Sequence, residues 1–189
     1  MRSDIPDEAT CLRLLQEYQT PLHIIRHSQM VGAVAKFIGQ ALVRNGLSMD
    51  ISLIQAGSLL HDIGKYPCIL EGTRSHDVRG EEIVAAEGYP AVARIVGQHV
   101  VLKTDPSAPV AEVHVVYYAD KRVTHDELVT VEERFIYLER TYANNQAAVD
   151  WLLAMKERTI AVEEKIFRHL DFTPDQLTTF VPKRWAHEY

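Results

Sequence analysis

ISLIQAGSLLHDIGK, residues 51–65, decides how the rest of this chain is read. Asp50 precedes it and suits a helix N-cap, where a carboxylate accepts from an unpaired backbone N–H. The run that follows is apolar or small around most of a helical circumference. A helix of that kind belongs in the interior, so the reading places a helix from Asp50 through Gly64 at the centre of an all-α bundle. The run closes on two polar neighbours, His61 and Asp62. A buried, unpartnered carboxylate is costly, so Asp62 calls for a cation or strong donors. A divalent metal would serve, since neutral imidazole and carboxylate are both good ligands for first-row metals. Neighbours on an ideal helix point about 100° apart. A helix end that frays toward Gly64 would let both side chains reach one centre. Taken alone, the dipeptide reads first as a turn carrying a surface histidine.

Working outward, nearly every segment reads as helix. Asp7 caps a first helix through about Tyr18, with Leu12, Leu14 and Leu15 as its apolar contacts. Thr20-Pro21 offers a second start, with Thr20 at the cap and Pro21 at the first helical position. Ile24, Met30, Val31, Val34, Phe37, Ile38 and Ala41 then recur at three- and four-residue steps up to about Arg44. Asn45-Gly46 closes that helix through a left-handed cap. Pro67, Gly72 and Thr73 mark residues 66–75 as a loop. Helices are expected over 76–87, from Pro90 through His99 to about 100, over 110–122, over 131–142 and over 146–169. The 103–109 stretch reads as loop and the tail from Pro174 as short helix and coil. The 110–122 segment is the ambiguous one, because VHVVYY also suits a strand.

Composition bounds the classes. The chain has 189 residues, 47% of them apolar and 24% charged, which fits one ordinary globular domain rather than a disordered segment. The reading is a single unit over 1–189 with its core at about 20–125 and the helices of about 131–169 packed on it or paired across a homodimer; packing on the core is favoured. Cys11 and Cys68 make no disulfide framework and no CxxC spacing, so a reduced, cytoplasmic setting is expected. The first residues lack a signal peptide's pattern, and no apolar run approaches the roughly 20 residues of a membrane helix. The formal net charge of −6 disfavours nonspecific nucleic-acid binding, so a small phosphorylated substrate is expected and no nucleic acid or membrane partner.

Nine histidines are unusual, and their positions matter more than their number. His27 lies on the helix before the central one, in RHSQMVGAVA. Asp120 follows the apolar run in VVYYADKRV. The order His27, His61-Asp62, Asp120, with Ile63-Gly64-Lys65 completing HDIGK, resembles the HD superfamily of metal-dependent phosphohydrolases, and specifically its HDIG-type members. The match covers roughly residues 20–125. His76, in SHDVRGEEI, and His99, in VGQHVV, add to it. With them the arrangement is similar to the bacterial YqeK-like group, which hydrolyses diadenosine tetraphosphate symmetrically at a bimetal centre. The resemblance implies an HD-domain helical bundle with two divalent ions, drawn from Fe, Mn, Ni, Co or Zn. It implies that His27, His61, Asp62 and Asp120 hold one ion, and that Asp62, His76 and His99 hold the other, Asp62 bridging the two. Water activated between two such ions would attack phosphorus.

Lys65 is a candidate for contact with substrate phosphate and for a part in catalysis beside Asp62, and Arg79, one turn after His76, is a second phosphate-binding candidate. Lys103 and Lys121-Arg122 are weaker ones. Asp77 is a candidate support for a ligand, though such a residue more often favours a helix N-terminus. His23 shares a face with His27 and reads mainly as a surface or packing residue. His114 and His125 read as structural or exposed, and His169 and His187 lie outside the matched region. The expected function is hydrolysis of a phosphoester or phosphoanhydride bond of a small nucleotide, a dinucleoside polyphosphate among the candidates. The alternatives are a mononuclear 5′-nucleotidase and a nucleotide-binding domain without turnover. The sequence beyond Asp120 carries no substrate signature, and no HHE run marks a cyclic-dinucleotide phosphodiesterase.

Overall fold

The computed structural model describes residues 4–73, 75–105 and 107–184. Its helices are α1 (Glu8–Glu17), α2 (Leu22–Arg44), α3 (Ile51–Leu60), α4 (Lys65–Glu71), α5 (His76–Ala86), α6 (Pro90–Val96), α7 (Glu112–Asp120), α8 (Val131–Tyr142), α9 (Gln146–Phe167) and α10 (Leu177–Phe180), the last preceded by a single 3₁₀ turn. A two-residue hairpin, β1 (Val123–Thr124) and β2 (Glu127–Leu128), sits between α7 and α8. The fold is therefore all-α. No helix among the described residues is long and apolar enough to cross a membrane.

The all-round apolarity of α3 has a simple cause: it lies between two cores. Ile54 faces a cluster with Met30, Val34 and Ile38 of α2 and Val115 to Ala119 of α7. Leu59 and Leu60 face a second cluster with Leu14, Leu15, Val84, Val92 and Val96. Phe135, Leu152 and Ile166 of α8 and α9 bury themselves in the first cluster, so the C-terminal helices share the core of α2 and α7. Arg122 clips this region together from inside. Its Nε donates to the Val129 carbonyl at 2.6 Å, Nη2 donates to the Pro174 carbonyl at 3.1 Å, and Nη1 donates to the Tyr118 hydroxyl. A buried guanidinium is tolerated here because its donors are used.

Several boundaries differ from the sequence expectation. Residues 65–71 are helix, not loop. Pro67 occupies the first helical turn, where its missing N–H would have found no partner, and Gly72, at φ 68°, ends the helix. Pro21 is the residue before α2 rather than its first residue, and Thr20 supplies no cap. Helix α6 ends at Val96, so His99 lies beyond it in a turn. The central helix ends at Leu60 rather than Gly64. VHVVYY is helical because both faces of α7 are buried, a context in which β propensity is overridden. His187 lies outside the described residues.

Candidate metal centre

Five segments converge at one end of α3. Its C-cap residue is His61, and residues 61–64 form a tightened turn in which Ile63 N–H donates to Leu60 and Lys65 N–H to Asp62, each at 3.0 Å. The tighter winding points His61 and Asp62 at a common centre. Helix α2 delivers His27, the start of α5 His76, the turn after α6 His99, and the last residue of α7 Asp120. The fourth letter of HDIG explains how α5 comes so close. A Cβ built on Gly64 would stand 2.2 Å from the His76 carbonyl oxygen and 2.6 Å from the Gly80 nitrogen, so only glycine admits this backbone approach.

Two triads result: His27, His61 and Asp120, and beside them Asp62, His76 and His99. Asp62 turns one oxygen to each. Its Oδ2 lies 3.2 Å from His61 Nε2 and 3.8 Å from His27 Nε2, while Oδ1 lies 3.4 Å from His99 Nε2 and 3.6 Å from His76 Nε2. His27 Nε2 is 3.1 Å from Asp120 Oδ1, and His61 Nε2 is 3.6 Å from it.

The hydrogen bonds fix which ring nitrogens face inward. His27 Nδ1 donates to the His125 carbonyl at 2.8 Å, His61 Nδ1 to the Ser58 carbonyl at 2.7 Å, and His99 Nδ1 to the Val96 carbonyl at 2.7 Å. A carbonyl only accepts, so each Nδ1 carries a proton and each Nε2 faces the centre, where the neutral ring would offer it a lone pair, an orientation typical of metal-binding histidines. His99 Nε2 also meets His76 Nε2 at 3.1 Å. Lone pairs and carboxylate oxygens this close repel unless a proton or cation lies among them. Among the described residues His61 Nε2 and Asp62 Oδ1 are buried with no hydrogen-bond partner, a state that is costly unless something else engages them. The donor set, imidazole and carboxylate in two adjoining triads, suits divalent first-row metals.

The electrostatics carry the same strain. Burial disfavours the Asp62 and Asp120 carboxylates, yet His61 and Lys65 around Asp62, and Lys121 and His27 around Asp120, hold both well below the usual range. Burial likewise opposes charge on His61, but Asp62 and Asp120 push it up to about 9. His76 goes the other way: burial, then the neighbouring His99, bring it down to about 4.

Beside the centre opens a cavity of about 400 Å³, with Asp62 and His27 among its lining and Lys65, Arg26, Arg134, Tyr137 and Tyr142 around them. Lys65 Nζ stands 2.6 Å from Asp62 Oδ2, so the lysine predicted from HDIGK is at the site. Arg79 is not. On the outer side of α5 it is captured by Glu71, at 2.7 Å, and Glu82, at 3.3 Å, because α4 packs its acidic end there. Lys103 is exposed, and Asp77 stands in the first turn of α5. Lys121 is buried and braces the two triads: its Nζ donates to Asp120 Oδ2 at 2.6 Å and to the His99 carbonyl at 2.8 Å, tying one residue of each triad to the other. His23 lines the cavity from its exposed position. His114 accepts at Nδ1 from Ala111 N–H and donates from Nε2 to Thr104, both at 3.1 Å, and is structural. His125 contributes its backbone, at the turn of the hairpin with φ 55°, where its carbonyl orients His27. His169 is exposed in the turn that follows α9. Arg134, on α8, was not singled out by sequence: one arginine in a helix rich in charges gives no signal.

A helical bundle that gathers three buried His and two buried Asp, with a fourth His beside them, defines a metal-binding His–Asp domain. The model of the HD domain family matches residues 24–124, more than half of the chain, and the chain belongs to that family. Its helical fold and its metal-binding character follow from membership and agree with the triads seen here. Two curated relatives are both named tRNA (cytidine(56)-2′-O)-methyltransferase. That of Thermoplasma volcanium is 37% identical over 97 residues, 51% of this chain and 26% of the relative. That of Picrophilus torridus is 28% identical over 163 residues, 85% of this chain and 42% of the relative. The chain thus aligns with less than half the length of either. No solved structure matches.

Proposed function

We propose that this domain is a phosphohydrolase that holds two divalent ions and cleaves a phosphoester or phosphoanhydride bond of a small nucleotide. The observation that carries this is Asp62, whose two oxygens address two separate imidazole-bearing triads. His27, His61 and Asp120 with one Asp62 oxygen would hold one ion, and His76 and His99 with the other oxygen would hold the second. Bound there, the ions supply Lewis-acid stabilisation of a phosphoryl oxygen and lower the pKa of water. The chain's own part is to fix the ligands. Three backbone carbonyls lock the rings, Lys121 steadies Asp120 and His99, and Lys65 presents a cation at the cavity beside Asp62.

The relatives' name denotes methyl transfer to tRNA, and those proteins extend far beyond the matched stretch. The His and Asp cluster here suits water and phosphate chemistry, and hydrolysis is preferred on that ground. The deciding experiment measures metal per chain in protein purified without added metal, beside Asp62→Ala. It then screens dinucleoside polyphosphates, nucleoside monophosphates and, because of the relatives' name, a tRNA transcript. Two ions, both lost in Asp62→Ala, with metal-dependent release of phosphate or a nucleotide, is the expected result. One ion favours the mononuclear nucleotidase. No ion, and none taken up from Mn, Fe, Ni or Co, overturns the reading and leaves a binding domain.

A further inference from the structure

The cavity's wall on the α8 side carries a polar group that no described residue engages. Arg134, Tyr137, Leu138 and Tyr142 line it from one face of α8, at steps of three, one and four residues. Arg134 is nearly covered, its side chain 12% exposed, and its Nε is buried with no hydrogen-bond partner among the described residues. Its closest carboxylate is Asp120, at 3.9 Å from Nη2, and that carboxylate is already served by Lys121 at 2.6 Å. Its guanidinium lies 5.8 Å from the centroid of the Tyr137 ring, and that ring is in turn braced edge-on by His125 at 5.2 Å. A planar fork of donors, held in place and unspent beside a metal-binding centre, matches the geometry of a phosphate group. Further along the same face Tyr142 stands 58% exposed at the cavity. From Arg134 to Tyr142 the helix rises about 12 Å, long enough for a nucleoside beyond its phosphate.

We propose that this face of α8 is the substrate subsite: Arg134, together with Lys65, binds phosphate oxygens, and Tyr142 packs against the nucleoside. The assignment rests on the phosphohydrolase reading for its substrate class, and it selects one nucleoside-phosphate unit as the part gripped beside the metals. A cavity of about 400 Å³ is in the range of single small-ligand sites.

The test reads binding, not turnover. Calorimetry on manganese-loaded protein measures inorganic phosphate and adenosine 5′-monophosphate as probes, with metal content and a thermal melt for every variant. Charge-assisted hydrogen bonds of this kind are worth about 10- to 100-fold in affinity, so Arg134→Gln weakens both probes by that factor while keeping its metal. Tyr142→Ala weakens the nucleotide several-fold and leaves inorganic phosphate unchanged. Unaltered phosphate affinity in Arg134→Gln overturns the assignment, as does a wild-type protein that carries metal and binds neither probe, or a Tyr142→Ala variant that loses both probes equally. Should Arg134→Gln fail to fold, Arg134→Lys keeps a charge beside Asp120. Full phosphate affinity there overturns the role of the guanidinium, and a loss with metal retained supports it. A protein that binds both probes through Arg134 yet hydrolyses no substrate would sink the hydrolase reading and leave the subsite standing.

Discussion

Replacing Gly64 by alanine tests whether the second triad depends on the close approach of α5. The added Cβ would stand 2.2 Å from the His76 carbonyl oxygen, 2.6 Å from the Gly80 nitrogen and 3.1 Å from Gly80 Cα. All three are backbone atoms, so no side chain can swing aside. Ordinary van der Waals contact requires about 1 Å more, and the start of α5 must move by that distance. Overpacking of this kind costs about 1–3 kcal/mol, which for a chain of this length lowers the melting temperature by roughly 2–12 °C. The displacement falls on His76, which begins α5, because the three atoms nearest the new methyl group belong to His76 and Gly80, and none to His27, His61 or Asp120. The expected outcome is a folded protein with a lower melting point and a selective loss of metal from the site that includes His76. Calorimetric melts and elemental analysis after gel filtration read both effects. A Gly64→Ala protein that melts within about 1 °C of wild type and keeps its full metal content would refute the close-approach argument.

Other expectations follow from the same geometry. Lys121→Met removes the brace between Asp120 and His99, and metal affinity should fall about 10- to 100-fold, measured by competition with a chelating dye. Arg79→Ala should change the melting free energy by no more than about 0.5 kcal/mol and leave substrate turnover intact, since its partners are surface glutamates. In metal-stripped protein the pKa of His61, raised to about 9 from 6.5, stabilises the fold fully below pH about 6.5 and loses that contribution as the pH rises through 9. Urea midpoints at pH 6 and pH 9 should therefore fall with pH in stripped wild type. The fall should shrink in stripped His61→Gln, and an equal fall in the two proteins would contradict the assignment.

The segments that read most easily were those whose residues answer to local rules. Asp50 caps α3 and accepts from Leu53 N–H, Gly46 takes φ 91° after α2, and Thr130 caps α8 in a reciprocal pair with Glu133. The 66–75 segment misled, because Pro67 and Gly72 are turn residues in most settings and here merely begin and end a short helix. The candidate ligands are visible as polar letters beside buried runs: His27, His61, Asp62 and Asp120 on or next to α2, α3 and α7. Arg79 and Lys121 show the limit. Each is a cation within three residues of a His or Asp of the triads, yet one faces Glu71 across the surface and the other is buried beneath Asp120.

By itself the sequence determined the helical elements and the residue types gathered at the centre, because periodicity, caps and the cost of burying a carboxylate are written in neighbouring letters. The tertiary structure alone decided that the two oxygens of Asp62 face different triads, that the distant His125 carbonyl sets the His27 ring, and that Arg134 of α8 lines the same cavity. Those are relations between segments distant along the chain. Their geometry is set by how α5, α7 and α8 pack around α2 and α3, and no local pattern encodes it.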